Sequence, residues 1–252
     1  MFHDDPLPPV AAPPLEGAPA ATIWRARDLV FGVLLLIAGL GAAGGVAVLA
    51  YRVLPGSEAD PATALVLSVI TVFIEVWAGV IVLLLARRRG VSLRTLGFVR
   101  PRDWGLTVSA VLGAYGMLVA YGAIVLVLER FAGLDLPDPA NTIPDTLART
   151  VPVWAVLGVA VVLVAPLGEE LFFRGLVYRA VEGLWGPWAG IAVSGVAFSL
   201  VHFNPSVVVP FAGIGMVFAW AYRRSGSLWT TIAAHAIFNG VSLAAAVGGL
   251  AR

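Results

Sequence analysis

The sequence has no cysteine, and all sixteen of its basic residues are arginine. Those absences exclude a cysteine nucleophile, a disulfide framework, a cysteine-ligated metal and a serine–lysine dyad. Charge is scarce too. Only 12% of the 252 residues are charged, about half the share of a soluble domain. The net charge of +1 leaves no basic excess for nucleic acid, so no nucleic-acid partner is expected. Histidine occurs three times, as His3, His202 and His235. What the chain has in quantity is apolar surface: 60% of residues are hydrophobic and the mean hydropathy is +0.93. Uncharged runs of about twenty residues recur from end to end, the pattern of a polytopic membrane protein. The expected fold is an all-α transmembrane helical bundle of about 7–8 membrane helices, with the lipid bilayer as partner.

The runs lie near 29–51, 62–86, 105–128, 151–167, 187–203, 206–222 and 228–251. Residues 1–22 hold six prolines and neither Arg nor Lys. They lack the features of a cleaved signal and read as a disordered cytoplasmic tail. Residues 23–104 form the N-terminal membrane helices and a basic linker, and 105–252 form the helical membrane core. The amphipathic stretch 168–186 either extends the preceding span or enters the bilayer by itself.

Arginine placement sets the expected orientation. The linker 86–104 carries six Arg and should be cytoplasmic, as should Arg25, Arg27, Arg223 and Arg224. The 129–150 linker has Glu129, Asp135, Asp138 and Asp145 against two Arg, fitting an outside loop. With the N-terminus inside, a bacterial inner membrane is the expected location, since a chain rich in Ala, Gly and Arg without Lys has a high-GC bacterial composition. Counting alternate spans then places Glu169 and His235 near the cytoplasm but His202 toward the opposite end. A broken or re-entrant piece around 203–212, where Asn204-Pro205 and Pro210 interrupt the helix, would remove that conflict.

The ionisable groups of the apolar half are concentrated late in the chain. GEELFFRG (168–175) supplies Glu169, Glu170 and Arg174, followed by Phe198 and His202, then His235 and Asn239. A charge at mid-span costs about 2.5–3.5 kcal/mol on insertion scales, so such groups face a protein interior or a watery cavity. Glu170 and Arg174 are i,i+4 and can pair, whereas Glu169 points about 100° away. Phe198 and His202 share one helical stripe, and so do His235 and Asn239. A carboxylate here can take a proton from water and return it, an imidazole can orient that water, and a second imidazole with an amide can hold an oxyanion. Equally, Glu169, His202 and His235 can ligate one divalent metal such as zinc with a water in the open position. Residue types leave both open. The plainer alternative is a structural ion pair with two bridging histidines. Glu75, a mid-span carboxylate in TVFIEVWAG, has no sequence partner and reads as structural or cavity-lining.

Other intramembrane hydrolases fit less well. No aspartate lies inside an apolar run, and HExxH is missing. A Ser194–His235 dyad would leave GEELFFRG without a role. In order, EExxxR (Glu169, Glu170, Arg174), FxxxH (Phe198, His202) and HxxxN (His235, Asn239) resemble the CPBP family of CAAX prenyl proteases and bacteriocin-processing or immunity (Abi) proteins. The motif match covers 168–240, with weaker similarity back to about residue 90. The resemblance implies a membrane endopeptidase in which Glu169 activates water, His202 assists, His235 and Asn239 form the oxyanion site, and Glu170, Arg174 and Phe198 support them. It implies either no cofactor or one divalent metal, and a peptide or prenylated protein as substrate. A non-catalytic immunity or scaffold protein and a proton-coupled transporter remain as alternatives.

Overall fold

In a bilayer, every backbone polar group must be satisfied inside the chain, and helices do this segment by segment. The computed structural model describes residues 23–54, 61–134, 156 and 158–250, and these are mostly helical with no strand among them. The helices are α1 (Ala26–Val53), α2 (Pro61–Arg89) and α3 (Gly105–Ala132), then a composite α4, then α5 (Pro187–Leu200), α6 (Val208–Ser225) and α7 (Leu228–Leu250). Five of the described helical segments are long and apolar enough to cross a membrane, and α5 is a shorter apolar helix. The fold is thus an all-α polytopic bundle. The tail 1–22 and most of the acidic linker 129–150 lie outside the described residues.

The stretch 168–186 does not enter separately. It continues α4, which runs without a break through π-helical Ala160–Val164, α-helical Ala165–Glu170, π-helical Leu171–Tyr178 and α-helical Arg179–Trp185. Pro166 offers a cause for the first widened segment, since its ring and missing N–H cannot complete the normal ladder one turn back. Three carbonyls from the widened segments are met by side chains of other elements. Asn239 donates to Val161 at 2.8 Å, Ser194 to Phe173 at 3.0 Å, and the Trp24 indole to Gly175 at 2.6 Å. Neighbouring side chains therefore repair what the helix gives up.

The predicted break after α5 is present but narrower than 203–212. The chain turns at 201–204, with Phe203 at φ 49°, and a 3-10 turn over Pro205–Val207 leads into α6. The Asn204 side chain caps this turn by accepting from the Ser206 N–H. Pro210 does not interrupt: it sits in the first turn of α6, where its missing N–H is unneeded.

In lipid, helix association depends on close packing and hydrogen bonds rather than on expulsion of water. The α5–α6 crossing shows the consequence. A Cβ on Gly215 would lie 2.8 Å from the Gly195 Cα, so two glycines allow the backbones to touch. One buried cluster joins α1, α2, α4, α5, α6 and the start of α7, and a second joins α3, α6 and α7. The basic linker docks on the α6–α7 turn: Tyr222 donates to the Leu96 carbonyl at 2.9 Å and the Leu228 N–H to Gly97 at 2.8 Å. Arg89 of α2 pairs with Asp28 of α1. The arginines of residues 25–27, 87–102 and 223–224 thereby gather at one end of the bundle.

Candidate active site

Depth along α4 and α5 decides whether the motifs can meet. Glu169 and His202 lie nearly equal numbers of residues before and after Gly186, the turn between two antiparallel helices. They are therefore level, and the conflict from counting full spans disappears. α5 is only 14 residues long, about 21 Å at 1.5 Å per residue, and returns the chain at mid-depth. Phe218 and His235 are paired in the same way about the α6–α7 turn, with ring centroids 5.2 Å apart.

Glu170 and Arg174 pair across one turn, as their spacing predicts. Arg174 Nη1 donates to Glu170 Oε1 at 2.8 Å, and both side chains are fully buried. Arg174 Nη2 donates to the Gly215 carbonyl at 2.9 Å, which ties α4 to α6. Its guanidinium lies 5.0 Å from the Phe198 ring centroid and 5.5 Å from that of Phe218, a cation between two aromatic faces. The Phe198 ring also contacts His202 and His235, so the motif phenylalanine forms the wall that three polar side chains share.

The histidine hydrogen bonds fix what each ring can offer. His202 Nδ1 is 2.8 Å from the Phe198 carbonyl. A carbonyl only accepts, so Nδ1 carries the hydrogen and Nε2 presents a lone pair in the neutral ring. His235 Nδ1 is 3.0 Å from Glu170 Oε1, the oxygen that also receives Arg174. Its Nε2 then faces Glu169 Oε2 at 3.9 Å, too long for a hydrogen bond. Glu169 Oε2 is buried and has no hydrogen-bond partner among the described residues.

A cavity of about 80 Å³ opens beside Glu169, room for a few water molecules. Glu169, His202 and Glu75 supply its polar wall, while Leu36 and Leu40 of α1, Ile74 of α2 and Phe172 of α4 supply apolar wall. Glu75 is thus cavity-lining, as its mid-span position allowed. Its carboxyl shares that cavity wall with the carboxyl of Glu169. Sequence spacing gave no sign of that partnership, because it joins residues on α2 and α4. The only local hint was Gly79, one turn further on, a small residue marking a close crossing.

The remaining motif groups are placed differently. Asn239 commits one amide hydrogen to Val161 on α4. Ser194 is fully buried and donates to Phe173, which excludes a Ser194–His235 dyad. Among the described residues no three His, Asp or Glu side chains come together as a metal ion requires. Both histidines use Nδ1 within the protein, which leaves Nε2 of each toward the site.

The family comparison falls on the same region. Residues 151–241 match the family model described as type II CAAX prenyl endopeptidase Rce1-like, in agreement with the resemblance carried by the three motifs. YdiL of Bacillus subtilis (strain 168), a membrane protein assigned as a peptidase, is 29% identical over 77 residues, 31% of this chain and 32% of that protein. The membrane-embedded CAAX protease MroQ of Staphylococcus aureus (strain USA300) is 27% identical over 143 residues, 54% of this chain and 55% of that protein. The chain thus spans about a third and about half of the length of these relatives. No solved structure matches it.

Proposed function

From a buried carboxylate–imidazole cluster beside a cavity, in a segment that matches a prenyl endopeptidase family, we propose that the protein is an intramembrane endopeptidase. The observation that carries this is the convergence of Glu169 and His202 on one cavity, with His235 behind Glu169. A water in that cavity meets the Glu169 carboxylate and a lone pair on His202 Nε2. Glu169 takes a proton from the water as its oxygen bonds to the peptide carbonyl carbon. When the C–N bond breaks, the same proton passes from Glu169 to the leaving nitrogen, so the balance closes. Glu169 relays that one proton from the water to the leaving nitrogen and ends as it began.

His235 has its Nδ1 on Glu170 and can stabilise the oxyanion through Nε2 only when that nitrogen also carries a proton. Glu170 and Arg174 hold the imidazole at the right angle. Asn239 braces α7 against the widened turn of α4, and its second amide hydrogen is the one left for the oxyanion. Apolar walls on α1 and α2 beside the carboxylate suit an apolar substrate, either an apolar peptide or a prenylated C-terminus. The bilayer and that substrate are the partners of this reading. The positive-inside rule places the arginine-rich end, with the N-terminus, in the cytoplasm of a bacterial inner membrane.

The test is cleavage of farnesylated CaaX peptides and unmodified peptides by the purified chain in lipid nanodiscs. Glu169→Gln is expected to lower kcat by about 10²–10⁴-fold, the range for loss of a general base, and His202→Ala to lower it less. A parent that cleaves neither peptide class, or a Glu169→Gln variant as active as the parent, overturns the reading.

A further inference from the structure

Glu75 reaches the site from a helix outside the three motifs. It lines one cavity of about 80 Å³ with Glu169 and His202, so the two carboxyls face a common space. Backbone packing holds them there. A Cβ on Gly168, the residue before Glu169, would run into the Glu75 carbonyl, and one on Gly79 would come within 3.6 Å of the Gly168 Cα. The α2–α4 crossing is therefore main chain against main chain at the level of the two acids, and neither can swing away by helix adjustment.

An ionised carboxylate has no hydrogen to give, so a hydrogen bond between two carboxyls contains one proton carried by one of them. The surrounding charges leave this pair to itself. On α4, Glu170 is engaged by Arg174, and on α7 His235 turns Nδ1 to Glu170. From the end of α5, His202 spends Nδ1 on Phe198, while α1 contributes Leu36 and Leu40 to this wall. Among the described residues Glu75 makes no ion pair with a cation.

We propose that Glu75 and Glu169 form a carboxyl dyad sharing one proton, in which Glu75 is a positioning residue that donates to Glu169 and fixes how its carboxylate meets the water. The inference rests on the peptidase reading of this site. Through the hydrolysis Glu75 keeps its proton, so the water proton still passes through Glu169 alone to the leaving nitrogen. The dyad works only with one proton present. With two, Glu169 has no basic oxygen. With none, Glu75 cannot orient it and the two charges repel.

The experiment compares the full chain with Glu75→Gln, Glu75→Asp and Glu75→Leu in nanodiscs, reading kcat, KM and kcat/KM against pH, with melting midpoints as the fold control. Leucine cannot donate, and kcat should fall by roughly 10²-fold, the cost of a misaligned catalytic group, at unchanged KM. Aspartate should restore part of that loss. Glutamine donates but has no proton to lose, so the alkaline limb expected of the parent should be absent. A Glu75→Leu kcat equal to the parent's, or a Glu75→Gln profile with the parent's shape, overturns the dyad. Infrared spectra in H₂O and D₂O read the shared proton without any turnover. The parent should show a buried protonated-carboxyl band at neutral pH that Glu75→Gln lacks. If the parent shows that band but cleaves no peptide, the dyad stands and the peptidase reading fails. If the parent cleaves peptides without the band, the dyad fails alone.

Discussion

Two adjacent glutamates occupy one turn of α4, and their surroundings give them opposite duties. Glu170 receives both Arg174 and His235 on one oxygen. Glu169 keeps one oxygen without a partner among the described residues. Removing one member of a buried ion pair strands the other, at a cost of about 3–5 kcal/mol. Glu170→Gln should therefore lower the melting midpoint of the detergent-solubilised protein, whereas Glu169→Gln should leave it unchanged while stopping cleavage. Arg174→Lys should behave like Glu170→Gln. A single ammonium cannot reach Glu170 and the Gly215 carbonyl together while lying flat between Phe198 and Phe218. If the Glu169 and Glu170 variants melt alike, the division of labour between them is wrong. The i,i+4 pairing was legible in the sequence because both partners sit on one helix. The link from Glu75 to Glu169 was not, since it depends on which faces of α2 and α4 meet.

At the scale of elements, the site depends on helices that depart from regularity. The π-helical turns of α4 free carbonyls at Val161, Phe173 and Gly175, and each is taken by a side chain from a different part of the chain. Such widened turns often occur at functional sites, where they change which residues share a face. The α5–α6 crossing is the other critical joint, because Gly215 both touches Gly195 and accepts from Arg174. Gly215→Ala should force the helices apart, costing about 1–3 kcal/mol as overpacking does, and move the carbonyl off Arg174. The expected result is a lower melting midpoint together with reduced cleavage, and partial recovery of both when cholate is exchanged for a native-like lipid nanodisc. Parent-like values in both environments would show that the crossing tolerates a methyl group. Sequence periodicity predicted these helices but could not show where they widen, because a π-turn leaves little mark on hydrophobic spacing.

For the whole molecule, the arrangement of charge is the readable feature. Docking of the 92–98 segment on the α6–α7 turn and the Asp28–Arg89 pair collect the arginines at one end. A cysteine-free chain makes that testable, since any introduced thiol is the only one. In right-side-out cells, Leu134→Cys should react with a membrane-impermeant maleimide, and Arg94→Cys should react only after permeabilisation. The reverse pattern would invert the bundle and put the arginine-rich end outside.

By itself, the sequence determined that the chain is a helical membrane protein, because length and apolarity of a run are local properties. It also determined which polar residues are candidates, because burying charge in lipid is too costly to be incidental. The tertiary structure decided their company. The short α5 brings His202 level with Glu169, and glycine-lined crossings bring Glu75 and Gly215 into the cluster. Histidine hydrogen bonds decide which ring nitrogen faces inward. Each of these is a relation between helices distant in sequence, set by where their backbones can touch, and no spacing along a single chain encodes that.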